Sequence, residues 1–534
     1  MATLKHDGPG HVLLPTRPGG NGTHSDGFAR RPQKTEVHRG AGCRRADAVA
    51  AAVLSLLVAA GTLTAAGHPL VDAVKSGDRT AVRALLAQKS DANAAEPDGT
   101  TALHYAIQRA DAETVDLLIA AGADAKAVNR YGISALHVAA TVGSAPILER
   151  LLQAGVAPDA ATSEGETALM AAARNGDAAS VKLLVSRGAG VDATEGWKGQ
   201  TALMWAAAEN NAAAMRILIE AGANVKARSK AGVFTPLLFA VRAGHVEATR
   251  VLLDAGADVN EPMQDGTSPL VLALINGHYE LASFLADRGA DPNADRQGWT
   301  ALHQIAWTRR PNTGFNLPGA VQTGNINSLD LVRRLVKAGA NVNARQKREP
   351  RDGFRNQLNR IGATPFLLAA KSVDLPLMRV LLELGADPKI ATEDGTTVLM
   401  AAAGVGIWAP GENPGTDDEA VAALKLAFEA GSNDVNAVNE NGETAMHGAV
   451  YRAGSIAMLG FLLEKGAKPD VRNNRGWTPL IAADGVEYTP NVLKRYPDTA
   501  AFLRKALAER GLPVPAPLDN PPGNRTVVQN APAQ

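Results

Sequence analysis

A short box recurs along the chain: threonine or serine, then a small residue or proline, then leucine, with Phe366 and Met446 in that last place in two boxes. It begins at Thr101, Ser134, Thr167, Thr201, Thr235, Ser268, Thr300, Thr364, Thr397, Thr444 and Thr478. Seven of the ten spacings are 33 or 34 residues, and one is 32. Self-similarity at a fixed period of this length restricts the chain to an array of small units. Each unit buries its apolar face only against its neighbours. The 534 residues therefore do not imply three or four separate domains, as length alone would.

Each residue of the box has a physical task. The hydroxyl caps a helix by accepting from backbone N–H groups that have no partner inside it. Proline in the second place, as at Pro236, Pro269, Pro365 and Pro479, has no N–H to leave unsatisfied and already holds a helical φ. Leucine enters the core, and small residues such as Ala139-Ala140 let neighbouring helices approach. A second helix carries paired aliphatics, as at Leu183-Leu184 and Leu381-Leu382. It ends at a glycine, as at Gly122, Gly256 and Gly385, which closes a helix in the left-handed conformation. Asn and Asp-Gly then supply turn chemistry for a short hairpin. In the first unit, Lys89 stands where that glycine is expected.

Composition agrees with thin helical layers. Hydrophobic residues make up 46% of the chain and aromatics only 4%, so the apolar content is mostly Ala, Leu, Val and Ile. Lys plus Arg and Asp plus Glu number 54 each, which leaves no global field to attract nucleic acid. Cys43 is the single cysteine, so no internal disulfide and no cysteine-built zinc site can form. The chain has no His-Glu-x-x-His, no Gly-x-Ser-x-Gly and no phosphate-cradling glycine loop. Neither an enzyme nor an electron-transfer protein finds support, and no cofactor is expected.

The motifs Thr101-Ala-Leu-His104, Ser134-Ala-Leu-His137, Thr300-Ala-Leu-His303 and Gly256-Ala-Asp-Val-Asn260 resemble the ankyrin repeat. The resemblance covers about His68 to Gly511. It implies a mainly α ankyrin-repeat solenoid of about twelve helix pairs, with short β-hairpin loops and two larger insertions. It also implies structural roles for His104, His137, His303 and His447, each bonded to the box threonine or serine and to backbone of the adjoining unit. Other boxes carry Met170, Met204, Met400 or Leu238 there, and a place that accepts Met serves packing and not metal binding.

Outside the array, residues 1–66 read as an extension ending in a secretion signal. Arg44-Arg45 precede an apolar stretch from Ala48, and Thr64 and Ala66 occupy cleavage positions. Cleavage after Ala66 would deliver the array to the periplasm or beyond, and the layout resembles that of exported bacterial ankyrin proteins. The segment before Arg44 is long for a signal, which suggests a start downstream of Met1, at Val37. The alternative is a retained inner-membrane anchor, because residues 48–67 form an uncharged run just long enough to span a bilayer. The array occupies residues 67–512, and the proline-rich residues 513–534 are expected to be extended or disordered.

Ankyrin proteins hold partners on hairpin tips and on exposed positions of the first helix. In this sequence that points to a protein-binding scaffold, a monomer, with no nucleic acid partner and with membrane contact only through residues 48–67. The spacing is broken between Thr300 and Thr364 and again between Thr397 and Thr444. The first break holds Trp307, Arg309 and Arg310, followed by a basic loop with Arg345, Lys347, Arg348, Arg351, Phe354, Arg355 and Arg360. This loop predicts an acidic partner. The second break carries Asp417, Asp418 and Glu419, and the rival reading is that it merely neutralises the first. Trp299, Arg242, Lys371, Tyr451 and Arg452 complete the predicted binding face, and Trp299 and Trp477 sit at matching hairpin tips.

Overall fold

The computed structural model describes residues 68–311, 320–350, 358–407, 414–489 and 492–517. Among them are twelve helix pairs, as the box spacing predicts. The chain divides into two units. One comprises residues 68–142 and 146–156, and the other residues 143–145 and 157–517 among those described.

The first unit contains α1 (Pro69–Ser76), α2 (Arg79–Ala87), α3 (Ala102–Gln108), α4 (Ala112–Ala120), α5 (Ala135–Val142) and, apart from its first residue, α6 (Ala145–Gln153). The first helices α1, α3 and α5 pack in a row, and α2 lies on α4. Lys89 takes φ 60°, so a lysine adopts the left-handed conformation that glycine supplies elsewhere.

The second unit begins with four regular pairs. These are α7 (Ala168–Asn175) with α8 (Ala178–Ser186), α9 (Ala202–Ala208) with α10 (Ala212–Glu220), α11 (Pro236–Ala243) with α12 (Val246–Asp254), and α13 (Pro269–Ile275) with α14 (Tyr279–Asp287). The broken spacing follows, in α15 (Ala301–Arg309), α16 (Ser328–Lys337), α17 (Pro365–Lys371), α18 (Leu375–Glu383), α19 (Val398–Ala403) and α20 (Asp417–Ala430). The last helices are α21 (Ala445–Tyr451), α22 (Ile456–Glu464), α23 (Pro479–Asp484) and α24 (Pro497–Glu509). Every first helix from α7 to α23 packs on the next first helix, and the second helices from α8 to α22 form a parallel row behind them.

Box chemistry appears as expected. The hydroxyls of Thr167, Thr201, Thr235, Ser268, Thr364 and Thr478 each accept from the backbone N–H three residues on. Asparagines after the closing glycine do more than turn the chain. Asn260, Asn293, Asn343 and Asn436 donate to the carbonyls of Gly289, Gly339, Gly385 and Gly466 in the following pair. Hairpin loops are narrow, closed by isolated bridges such as Val128 with Ser134 and Ala161 with Thr167. Successive tips join through single backbone bonds, from Lys230 N–H to Lys198 O at 2.7 Å and from Glu440 N–H to Asp394 O at 2.8 Å. A two-stranded antiparallel ribbon, β1 (Val486–Thr489) with β2 (Val492–Lys494), lies between α23 and α24 and has no counterpart in the repeat pattern.

Residues 1–67, which carry the predicted signal or anchor, lie outside the described residues, as do residues 518–534 of the predicted tail. Among the described residues no helix is long and apolar enough to cross a membrane.

Candidate functional site

In the second unit, two positions of the first helix meet the hairpin tips. They lie four and seven residues after the capping residue, where the side chain emerges from the helix row. Arginine over an aromatic ring recurs along this face. Arg174 covers Trp205 at 4.7 Å, and Arg242 lies over Phe234 and Phe239 at 5.3 and 5.6 Å. Arg360 covers Trp307 at 5.5 Å, and Arg475 covers Trp477 at 5.0 Å. Each guanidinium shields a ring from water; those of Arg174 and Arg475 keep their charge at the surface, whereas Arg360 is buried and paired with Glu349.

The most exposed aromatic belongs to the regular stretch. Trp197, at a hairpin tip, is 71% exposed, with the Lys198 ammonium 4.3 Å from its ring. Glu195 fixes the tip from inside. Its carboxylate accepts from the backbone N–H groups of Trp197, Lys198 and Gln200 at 2.7–2.9 Å. Burial pushes that carboxyl up, but the three N–H groups outweigh burial and hold it below the ordinary range. The indole is thus presented on a rigid loop, so a partner would lose little entropy in ordering it.

The insertion-bearing stretch is built differently. Trp307 is half-buried and meets Trp299 edge-on, with ring centroids 5.3 Å apart. The Trp299 indole N–H donates to Gln304 at 3.0 Å. Arg309 binds Asp374 through Nε at 2.6 Å and Nη2 at 3.0 Å, and it also donates to Ser328. The Asp374 side chain is 1% exposed and that of Arg309 16%. Arg310 reaches the Val373 carbonyl and both oxygens of Glu419, at 3.0 and 3.1 Å. Arg452, 8% exposed, donates to the Lys371 carbonyl at 2.8 Å. Burial pulls its guanidinium down to about 10, against the opposing pull of Asp417.

A partly open pocket lies among the later repeats of the second unit. Helix α19 is only six residues long and stops at Gly404, with φ 119°. The turn from Gly404 to Ile407 leaves a gap beside α21. A Cβ on Gly404 would lie 2.7 Å from the Gly448 carbonyl, and one on Gly406 2.6 Å from Leu358. That close approach lets Leu358 wall a cavity of about 320 Å³. Glu443, Tyr451, Asn473 and Trp477 line it, with the tips carrying Asp394, Asn439 and Asn474.

Comparison with known proteins follows this geometry. Family models described as ankyrin repeats in three copies match residues 70–162, 143–229, 171–263 and 237–313. A single ankyrin repeat matches 297–347, and ankyrin repeats in many copies match 429–483. The chain belongs to the ankyrin-repeat family. It is similar to human Ankyrin repeat and SOCS box protein 16, with 33% identity over 211 residues, covering 40% of this chain and 40% of that protein. It is similar also to human Neurogenic locus notch homolog protein 1, with 34% identity over 150 residues, covering 24% of this chain and 6% of that protein. The chain thus spans less than half the length of these relatives. The solved human ASB11 ankyrin repeat domain matches at 25% identity and TM-score 0.38, over 42% of this chain and 99% of that one. Ankyrin arrays are typically binding scaffolds without catalysis.

Within this ankyrin array three of the four box histidines are bonded as the resemblance implies; at His137 the contact with the box Ser134 hydroxyl comes from the backbone N–H, at 3.2 Å, and not from the ring Nδ1. His104, His303 and His447 bond the box threonine through Nδ1 at 2.8–3.0 Å, and Nε2 meets a carbonyl of the next hairpin. Burial pulls His303 and His447 down to about 4. Among the described residues no group of three His, Cys, Asp or Glu is placed to hold a metal ion.

The predicted binding face divides. Trp299, Trp307 and Arg242 line the ankyrin groove, and Arg348 stands exposed beside it. Arg309, Arg310 and Arg452 were expected to be free for a partner. They are instead tied inside the stack, because carboxylates and carbonyls of later repeats reach them. Tyr451 is 6% exposed, with its hydroxyl on Glu443 at 3.0 Å, and Lys371 serves Arg452 through its carbonyl. Trp477 is no exposed tip: it is 2% exposed and part of the pocket wall. Arg351, Phe354 and Arg355 lie outside the described residues. The acidic stretch after the second break does neutralise a cation of the first, but that cation is Arg310. Within the basic loop, Lys347 pairs with Asp295 at 2.6 Å and Arg360 with Glu349 at 2.8 Å.

Sequence reasoning missed Trp197. Its signal was a spacing of 34 where 33 precedes it, together with Glu195-Gly-Trp-Lys-Gly199, a tip one residue longer than its neighbour.

Proposed function

We propose that the chain is a non-catalytic scaffold that holds an extended segment of another protein in the groove between hairpin tips and first helices of residues 157–477. The row of arginines over aromatic rings carries this reading. Trp and Arg supply most of the binding energy when a partner buries them. Arg348 and the neighbouring Arg345 add exposed positive charge, which favours an acidic segment and speeds its encounter. The scaffold acts as a monomer, exported with cleavage after Ala66. The uncharged run of residues 48–67 supports the alternative of a retained anchor, and N-terminal sequencing of the expressed protein separates the two.

Affinity capture from the native envelope, with residues 67–534 as bait, tests the binding reading. A retained protein should lose about 2 kcal/mol of affinity with Trp307→Ala, chiefly through faster dissociation. Reversing Arg348 to Glu should slow association and flatten its salt dependence. Retention that is unchanged by Trp197→Ala, Trp205→Ala and Trp307→Ala together would remove the groove as the binding face.

A further inference from the structure

We infer that the cavity beside the truncated helix α19 receives one basic side chain, lysine or arginine, of the segment held in the groove; this rests on the groove reading above. A long cationic side chain needs apolar walls for its methylenes and an acceptor for its head. Leu358, Val405 and Ile407 supply the walls. Glu443 supplies the acceptor. Its Oε1 is held by the Tyr451 hydroxyl at 3.0 Å and the Asn473 amide at 3.1 Å, and its Oε2 has no hydrogen-bond partner among the described residues. Asp394 lines the same space and is held through Oδ1 by the Thr392 hydroxyl and by Thr396 N–H at 3.2 Å, with no hydrogen bond to Oδ2 among the described residues.

Two further observations point to an occupant. Trp477 lines the pocket and is 2% exposed, and its buried indole N–H has no acceptor among the described residues. A buried donor without a partner is costly, so the wall around Trp477 is less settled than the rest of the stack. Burial also pushes the Glu443 carboxyl above its ordinary range, despite Tyr451, Asn473 and Arg475. The carboxylate is therefore short of positive charge in the free protein. The cavity of about 320 Å³ lies at the small end of ligand sites and suits one side chain. Arg475, exposed at the rim over the Trp477 ring, is the internal competitor.

The test uses the full chain and N-acetyl-L-argininamide, read by the Trp477 indole resonance, which Trp477→Phe assigns. A saturable shift with a millimolar midpoint is expected, and the neutral N-acetyl-L-glutaminamide should give none. Glu443→Gln keeps an acceptor for Tyr451 and Asn473 and should weaken binding about tenfold. Arg475→Ala removes the competing charge and should strengthen it about threefold. This exposed substitution keeps the test decisive if Glu443→Gln lowers the melting temperature. Absence of a saturable shift up to about 20 mM, an equal response to the neutral amide, or no gain with Arg475→Ala overturns the inference. The groove reading would survive that failure, since it stands or falls on capture by the Trp197, Trp205 and Trp307 variants.

Discussion

The regular stretch from α7 to α14 and the insertion-bearing stretch from α15 to α22 share one helix row, yet they are tied together differently. In the regular stretch the polar links join adjacent pairs. Asn211 donates to the carbonyls of Ala173 and Arg174 at 2.9 and 2.7 Å, and His245 and His278 meet those of Ala208 and Arg242. In the insertion-bearing stretch two links skip a pair altogether. Arg310, the residue after α15, reaches Glu419 on α20, and Arg452, the residue after α21, reaches the end of α17. Helix α19 is short enough for Arg452 to cross beside it. Repeat arrays are commonly treated as nearest-neighbour stacks. Here that description suits one stretch and fails in the other, where four pairs are coupled as a block.

The largest test of this contrast is Asp374→Ala. It strands Arg309 in a site where both partners are mostly buried and also removes the cap on Leu377 N–H. A cost of about 3–5 kcal/mol is expected in urea unfolding, against about 1 kcal/mol for Asn211→Ala. Equal costs would break the comparison.

Acid should separate the stretches next. His303 and His447 titrate near 4 when folded and near 6.5 when unfolded, so the unfolded chain binds more protons between those values. Their stabilisation is complete above about pH 6.5 and is lost as pH falls through 4, on the order of 3 kcal/mol per histidine. The buried carboxyl of Glu443, pushed up by burial, works in the opposite direction and softens the loss. The regular stretch carries Met170, Met204 and Leu238 at that place. Hydrogen exchange at pH 7 and pH 4.5 should show protection lost first around α15 and α21. Uniform loss along the array would count against this account.

Smaller effects sharpen the same contrast. A double-mutant cycle on Trp299 and Trp307 should give a coupling of about 1 kcal/mol, since the rings meet edge-on. Trp197→Ala, at an exposed tip in the regular stretch, should change stability by less than about 0.5 kcal/mol. A melting shift larger than that of Trp307→Ala would reverse the assignment of which tryptophan supports the fold.

Helix starts were legible because capping is local. Thr235-Pro236 or Ser268-Pro269 declares a boundary within two residues, and the structure begins α11 and α13 there. The fates of the arginines were not legible in that way. Arg309, Arg310 and Arg452 look exposed when one repeat is read alone. Their acceptors lie 65, 109 and 81 residues away, and no periodic pattern announces them. The pocket was hidden for the same reason, because it depends on how far a neighbouring helix fails to extend. Trp197 was locally visible as a longer tip, but it lay outside the Gly-Trp-Thr pattern that directed attention to Trp299 and Trp477.

The asparagine bonds to the closing glycine carbonyls have a bearing on how such a gene can change length. Asn260, Asn293, Asn343 and Asn436 each find the same acceptor in whatever pair follows. Copying or deleting one whole repeat therefore leaves a junction of this kind chemically intact, as at Asn260 and Asn293. Between Thr300 and Arg452 the same event would separate Arg310 from Glu419 or Arg452 from Lys371, and leave a guanidinium inside the stack without its acceptor. A change of length by one repeat is thus cheaper at an asparagine junction such as Asn260 than across the contacts of Arg310 and Arg452.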